Sequence, residues 1–345
     1  MKLLITTQVV DPQDPFLGFF HGWIAELAKH FEHIEVICLR MGQYSLPANV
    51  NVHSLGKEGG ARSRIAYALR FLSLVWKLRS SYDAVFVHMN QEYILLAGWL
   101  WKILRKRIYM WRNHYAGGFL TDVAAMTALK VFCTSRYSFT AKYKKTVVMP
   151  VGVDAELFAP SALGRAPRSV LFFSRFAPAK KPDVLLEALG VLSKEGIQFR
   201  ASFYGTALPA DADYRDRVIA RAKELGLSEH VKFHLGVPHT EAPGIFGTHE
   251  IFVNLSSSGT YDKTMFEAAA CGCVVVASSK DFAAIVGERF LVADSDAKDT
   301  ADKLRELLSL TPKGRASMAA ELRGIVLQGH SLETLGERLA EELAS

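Results

Sequence analysis

What this sequence lacks narrows it first. No stretch approaches the roughly 20 consecutive apolar residues that a helix needs to cross a bilayer. The apolar run 93–101 is less than half of that, and 268–277 is ten residues. Cysteine is scarce: Cys38, Cys133, Cys271 and Cys273 are the four in 345 residues. Each lies in or beside an apolar, strand-like run, which reads as buried thiols in a reducing compartment and argues against a disulfide framework. Cys271 and Cys273 are one residue apart, a poor spacing for a tetrahedral metal site. Repeats at solenoid periods and low-complexity tracts are also missing. The opening Lys2-Leu-Leu-Ile-Thr6 reads as a short strand running into a polar, proline-containing loop, not as a secretory leader.

Acidic residues are short in one half only. Residues 1–150 carry 19 Lys and Arg against 9 Asp and Glu, the remainder 22 against 26, which together make the net charge +6. A basic first half suggests that it faces an anionic surface or acceptor, although cations that merely solvate helices would give the same count. The length suits two domains better than one core.

What is present alternates between two periods. In the first half, apolar runs at 3–7, 34–39, 50–54, 84–88, 108–111, 131–133 and 147–149 read as strands. Helical patterns at 22–31, 62–79, 92–104 and 121–129 lie among them. The segment 155–168 holds two prolines, a glycine and few large apolar residues, and reads as a linker. A second set follows: strands at 170–174, 199–204, 231–234, 251–255 and 274–277, with helices at 182–194, 212–225, 241–246 and around Glu267. The tail, 312–344, reads as helical. Repeated strand–helix units predict a parallel, doubly wound sheet in each half.

The most informative residues lie in the second half. Its first strand runs straight into Arg175-Phe-Ala-Pro-Ala-Lys180, which places two cations at the carboxyl end of a parallel strand, where open α/β sheets bind phosphorylated ligands. Glu267 lies near the start of a helix that opens after Ser256-Ser-Ser-Gly259 and closes at Gly272. A carboxylate there either favours the helix dipole or binds a ribose diol, with the cations taking a diphosphate.

These residues resemble a family. Arg175 with Lys180 five residues on, Phe266-Glu-Ala-Ala-Ala-Cys-Gly272, and the Gly152-Val153-Asp154 turn with Phe158 are similar to the signatures of the retaining glycosyltransferases of family 4. The resemblance implies the GT-B fold: two Rossmann-like, doubly wound parallel-sheet domains facing a central cleft. It implies an acceptor-side domain at 1–154, a linker at 155–168, a nucleotide-sugar-binding domain at 169–329, and a final helix, 330–345, packing back on the first domain. The activity implied is transfer of a hexose, with retention, from a nucleotide diphosphate-sugar to a glycan or lipid-linked acceptor, in surface polysaccharide or glycoconjugate biosynthesis. No cofactor beyond a UDP- or GDP-linked donor is expected.

The roles implied follow residue by residue. Arg175 and Lys180 would neutralise the diphosphate and stabilise the leaving group's growing charge. Glu267 would hold the ribose hydroxyls. The amides of Lys263 and Thr264, at a helix start, would add donors. His114, in Trp111-Arg-Asn-His114, would orient and polarise rather than attack, with the leaving phosphate taking the acceptor's proton. Gly205, after the second strand of that half, is counted with the donor contacts. In the first loop, Gly18 would let the backbone approach the diphosphate, while Asp11 and Asp14 would either hold acceptor hydroxyls or initiate turns. Arg112 could meet an acidic acceptor. His21 would open the next helix.

The chain departs from the family at Gly259, where a glutamate is usual, and at Thr260-Tyr-Asp-Lys263. Either Asp262 takes over a sugar hydroxyl, the favoured reading, or Lys263 pairs with a charged donor sugar. Asp211-Ala-Asp213 and Asp294-Ser-Asp296 spell a metal-and-donor motif of a different glycosyltransferase fold; here both fall in loops expected to lie away from the cations, so no metal is expected.

Stretch 62–79 sets Arg62, Arg64, Arg70, Lys77 and Arg79 among Tyr67, Phe71, Leu74 and Trp76, and 99–107 mixes tryptophan with Lys and Arg in the same way. Two readings stay open: a peripheral contact with an anionic membrane, or buried helices with a basic solvent edge. The first would put a cytoplasmic protein at the inner face of the membrane. Nucleic acid is a weaker reading of the charge, since no nucleic-acid-binding motif accompanies it. Two rival functions also stay open: a nucleotide-sugar epimerase or hydrolase on the same fold, and a non-catalytic nucleotide-binding relative.

Overall fold

The computed structural model describes residues 1–60, 63–162, 164–259 and 262–345. Two compact units divide the chain: Met1–Gly152 with Leu332–Ser345, and Val153–Ser331.

The first unit is built on seven parallel strands: β1 (Lys2–Val10), β2 (His33–Met41), β3 (Val50–Ser54), β4 (Ala84–His88), β5 (Arg107–Trp111), β6 (Lys130–Cys133) and β7 (Thr146–Val148). Their order is β3-β2-β1-β4-β5-β6-β7. The helices between them are α1 (Phe19–Leu27), α2 (Arg64–Lys77), α3 (Glu92–Ile103) and α4 (Phe119–Thr127). Alternate side chains of each strand enter opposite cores, which is why these runs are apolar throughout rather than alternating. Leu3, Ile5, Phe86 and Trp111 join Phe20, Trp23 and Leu27 of α1 in one core. Leu4, Val85, Val87 and Met110 join residues of α2, α3 and α4 in the other. Ser63 caps α2, its hydroxyl accepting from the Ala66 amide at 3.2 Å; Arg62, included in the expected helix, lies outside the described residues.

The second unit has five parallel strands, β8 (Ser169–Phe173), β9 (Arg200–Tyr204), β10 (Val231–His234), β11 (Ile251–Asn254) and β12 (Val274–Ala277). Their order is β10-β9-β8-β11-β12, so the winding reverses between β8 and β11. Its helices are α5 (Pro182–Lys194), α6 (Ala212–Glu224), α7 (Ala242–Gly247), α8 (Thr264–Ala270), α9 (Lys280–Val286), α10 (Ala297–Ser309) and α11 (Pro312–His330).

The final helix, α12 (Leu332–Ala344), belongs to the first unit. Leu335, Leu339 and Leu343, at spacing four, enter the core that α1 shares. Lys130 Nζ bonds Glu342 Oε2 at 2.7 Å and the Tyr109 hydroxyl donates to the Leu343 carbonyl at 3.0 Å.

Three local readings change. The tail is not one helix: Ser331 is extended, with ψ 161°, and separates α11 from α12. Residues 280–311, given no element in the sequence reading, hold α9 and α10, and Asp296 caps α10 by accepting from the Asp299 amide at 3.0 Å. Segment 155–168 lies within the second unit. It is pinned there by Arg165, whose guanidinium donates to the carbonyls of Phe246 (3.1 Å), His249 and Cys271.

Candidate active site

The strand order reverses between β8 and β11, the place where open α/β sheets bind ligands, and the chemistry-bearing residues gather along the carboxyl edge there. Beyond β8 the chain turns outward, exposing Arg175, and a short 3-10 turn, Pro178–Lys180, brings Lys180 back toward β11. Lys181 follows with a φ of +53°, a left-handed conformation that lets Pro182 start α5 directly. Gly205 lies where the ends of β8 and β9 converge. A Cβ there would be 1.9 Å from the Ser174 carbonyl oxygen, so only glycine fits. This packing requirement accounts for Gly205 without a ligand.

Lys180 is the hub. Its ammonium bonds Asp262 Oδ2 at 2.7 Å and Ser256 Oγ at 3.1 Å. Asp262 Oδ1 in turn accepts from the Thr264 hydroxyl at 2.7 Å and the Thr264 amide at 3.2 Å. Asn254, at the end of β11, donates to Thr264 Oγ1 at 3.1 Å. Burial alone would raise the Asp262 pKa, but the Lys180 charge and the hydrogen bonds outweigh it and hold this carboxyl well below the usual range. Asp262 was expected to take over a sugar hydroxyl. Its two oxygens are instead spent on Lys180, Ser256 and Thr264, so it acts as the counter-ion that aims Lys180. The Thr264 amide, expected to be a phosphate donor, is used by the same carboxylate.

Glu267 is buried on α8, one turn after Lys263. His239 Nε2 lies 3.0 Å from its Oε1, and Lys263 Nζ lies 3.9 Å from the same oxygen. Both contacts fall on Oε1; Oε2 has no hydrogen-bond partner among the described residues. Burial pushes the Lys263 ammonium down to about 8, against the opposing pull of Glu267 and Asp154. Asp154 is fixed in the turn after Gly152, accepting from the amides of Glu156 at 3.1 Å and Leu157 at 2.9 Å. Phe158, buried in the same turn, packs against the His239 ring at 5.1 Å. His239 escaped the sequence reading. Its only signal was its place, five residues past the end of β10 in a loop at the carboxyl edge.

Gly259 stands where the family usually has a glutamate. Its φ is +90° and its amide donates to the buried Asp281 carboxylate at 2.8 Å. The position therefore turns the backbone, which a side chain would strain. Thr260 and Tyr261 lie outside the described residues. Asp294 pairs with Lys181, the residue after Lys180, and Ser257 Oγ is 3.4 Å from its other oxygen. Asp213 lies in α6 rather than a loop, and Asp296 is a helix cap. Among the described residues no group of His, Cys, Asp and Glu has the arrangement of a metal site.

In the first unit, His114 follows β5, half-buried. The Ala116 amide donates to its Nδ1 at 2.9 Å, the Ala116 carbonyl oxygen lies 3.2 Å from the same nitrogen, and Tyr115 stacks on the ring at 4.6 Å. Arg112 donates to the Ala116 carbonyl at 2.9 Å and so shapes the same loop. Gly18 opens α1 with an ordinary helical φ of −55°. A Cβ there would meet the Pro12 and Asp14 carbonyl oxygens at 2.6 and 2.7 Å, so the glycine serves the loop's own packing. Asp11 and Asp14 each cap their turns, Asp11 Oδ1 accepting from Gln13 at 2.9 Å and Asp14 Oδ1 from Phe16 at 2.9 Å and Leu17 at 2.8 Å. Arg40 takes the second Asp14 oxygen. Of the alternatives for these two, the turn role is the one seen. His21 lies within α1, and its Nε2 is buried without a hydrogen-bond partner among the described residues.

Residues 154–323 match the family model of glycosyl transferases group 1. The D-inositol 3-phosphate glycosyltransferase of Mycobacterium sp. (strain KMS) is 32% identical over 187 residues, which cover 50% of this chain and 40% of that one. The GDP-mannose-dependent alpha-(1-6)-phosphatidylinositol monomannoside mannosyltransferase of Mycolicibacterium smegmatis is 29% identical over 217 residues, covering 57% and 55%. The alignments thus take in about half the length of the curated relatives. Among solved structures, Anabaena Alr3699/HepE in complex with UDP superposes with a TM-score of 0.79 at 20% identity over 100% of both chains. A sucrose-phosphate synthase from Thermosynechococcus elongatus gives 0.78 at 17%, covering 99% and 98%. At such identities the likeness establishes the fold: this chain has the GT-B architecture of two parallel-sheet α/β domains.

Proposed function

We propose that this chain transfers a hexose from a UDP- or GDP-linked sugar to a glycan or lipid-linked acceptor, with retention and without a metal, in the building of a surface polysaccharide or glycoconjugate. The observation that carries this is the convergence of Lys180, Lys263 and Glu267 on one sheet edge, where both contacts to Glu267 fall on Oε1 and Oε2 has no hydrogen-bond partner among the described residues. A carboxylate anchored through one oxygen can accept from a ribose hydroxyl through the other. Lys180 and Lys263, with the exposed Arg175 beyond β8, supply the charge that a diphosphate leaving group needs, which a divalent ion would otherwise supply. Asp262 and Ser256 hold Lys180 in place before the donor arrives, so little reorganisation remains for the transition state. Lys263 is assigned here to the diphosphate rather than to a charged donor sugar. His114 is the proposed group that orients the donor.

A thermal-shift series of the full chain against UDP-, GDP-, ADP- and dTDP-sugars, without metal, tests the donor site. Selective stabilisation by one nucleotide-sugar, beyond that of its free diphosphate, is expected. Arg175→Ala should then lower turnover with that donor by about 2–4 kcal/mol of transition-state stabilisation. No shift with any donor, or near-normal turnover in the variant, would overturn the assignment. Nucleotide release at full rate without any sugar acceptor would favour a hydrolase instead.

A further inference from the structure

The outer face of the α2–α3–α4 layer does not look like the solvent side of a soluble sheet protein. These three helices pack on one face of the first sheet through Phe71, Val75, Ile94, Trp101, Ala124 and Ala125. The side turned away from that core is ordinarily polar. Here each helix adds a second apolar stripe. On α2, Ile65 is 73% exposed, Leu69 64% and Trp76 52%, at helical spacing. On α3, Trp99 is 58% exposed and Ile103 69%, and Phe119 at the start of α4 is 77% exposed. An outward apolar surface spread over neighbouring helices marks an interaction site.

The charge around it selects the partner. In sequence, 59–153 hold 15 Lys and Arg against three acids, Asp83, Glu92 and Asp122; outside that stretch Glu58 acts on Arg70 and Glu342 pairs with Lys130 at 2.7 Å. Asp122 is already paired with Lys142 at 2.7 Å. Helix α2 has no acid at all, and Arg64, Arg70 and Lys77 are exposed along it. The Arg79 guanidinium lies 4.4 Å from the Trp76 ring centre. No helix among the described residues is long and apolar enough to cross a membrane.

We infer that this face is an interfacial docking surface for an anionic lipid bilayer, its tryptophans and aliphatic side chains lying at headgroup depth and its cations in the layer of lipid phosphates. The surface is independent of the donor site in the second unit, so either can fail without the other.

Flotation of the full chain with phosphatidylcholine vesicles, with and without roughly 30% phosphatidylglycerol, tests it at low and high salt. Binding is expected to the anionic vesicles only, and to weaken as salt rises. The exposed Trp76 and Trp99 should shift their emission to shorter wavelength on binding. Trp76→Ser with Trp99→Ser should cut partitioning by about tenfold or more, and Lys77→Gln with Lys102→Gln by a similar factor. Both pairs are exposed, so unchanged melting curves should confirm the fold. No binding to anionic vesicles, equal binding to neutral ones, or partitioning unaffected by either pair would overturn the inference. So would a dimer in sedimentation that Trp99→Ser dissociates, which would assign the face to a second copy. RNA that displaces the protein from vesicles at matched charge and binds it more tightly would assign it to nucleic acid.

Discussion

Replacing Lys263 with methionine should make the protein more stable and a poorer binder of diphosphate at once. Burial lowers the Lys263 pKa from 10.5 to about 8, even with Glu267 and Asp154 pulling it up. A lysine whose folded pKa lies below its unfolded one binds its proton more weakly in the folded state. That penalty is fully present below pH 8. It is relieved as pH rises from about 8 to the unfolded value, because there the unfolded chain holds more protons. Two and a half units correspond to about 3 kcal/mol. Lys263→Met removes the penalty, but takes the Lys263 charge away from Glu267, which keeps its contact with His239 at 3.0 Å, so a net gain of about 1–3 kcal/mol at pH 7 is expected. All five tryptophans lie in the first unit. Urea unfolding followed by both fluorescence and far-UV circular dichroism therefore separates the units, and the gain should be confined to the dichroism change that fluorescence does not share. The advantage over wild type should shrink between pH 8 and 10.5. If Lys263 meets the diphosphate, binding will raise its pKa, and calorimetry at pH 8 in buffers of different ionisation enthalpy should show uptake of about half a proton. A variant less stable than wild type by more than about 1 kcal/mol at pH 7 would refute the reasoning, since burial would then not dominate.

Other substitutions probe the remaining supports. His239→Ala should weaken binding of the nucleotide diphosphate several-fold, with His239→Gln recovering part of it; equal affinity in all three would remove His239 from the site. Gly205→Ala places a methyl against the Ser174 carbonyl and should lower the second unit's denaturation midpoint, at a cost of about 1–3 kcal/mol. Arg165→Met strands the carbonyls of Phe246, His249 and Cys271 and should cost about 2–4 kcal/mol, read as a lower midpoint with fluorescence of the first unit unchanged.

The parts of this molecule readable from sequence are those that one local signal decides. The β1, β4 and β12 runs could only be buried parallel strands, because apolar side chains at successive positions need a core on both faces. Glu267 and Lys180 were legible from their place after strands. What was not legible depends on pairing across the sheet edge. Nothing in Asp262 itself says that Lys180, 82 positions away, will claim its carboxylate. Asp294 is a loop residue, as its sequence suggests, but nothing in that sequence pairs it with Lys181, 113 positions away. His239 needed the turn at Phe158 to be recognised. The break at Ser331 was hidden because both flanking stretches are good helix formers.

The return of α12 to the first unit sets an order on synthesis. Val153–Ser331, 179 residues, must be made between the bulk of the first unit and the helix that covers α1. At about 5–20 residues per second that is a wait of roughly 10–35 s. During it the second unit can close while the face of Trp23 and Leu27 stays bare. A chain cut short within α12 would carry a finished second unit and a permanently uncovered first one, so proteases could sort incomplete chains from complete ones by that face alone.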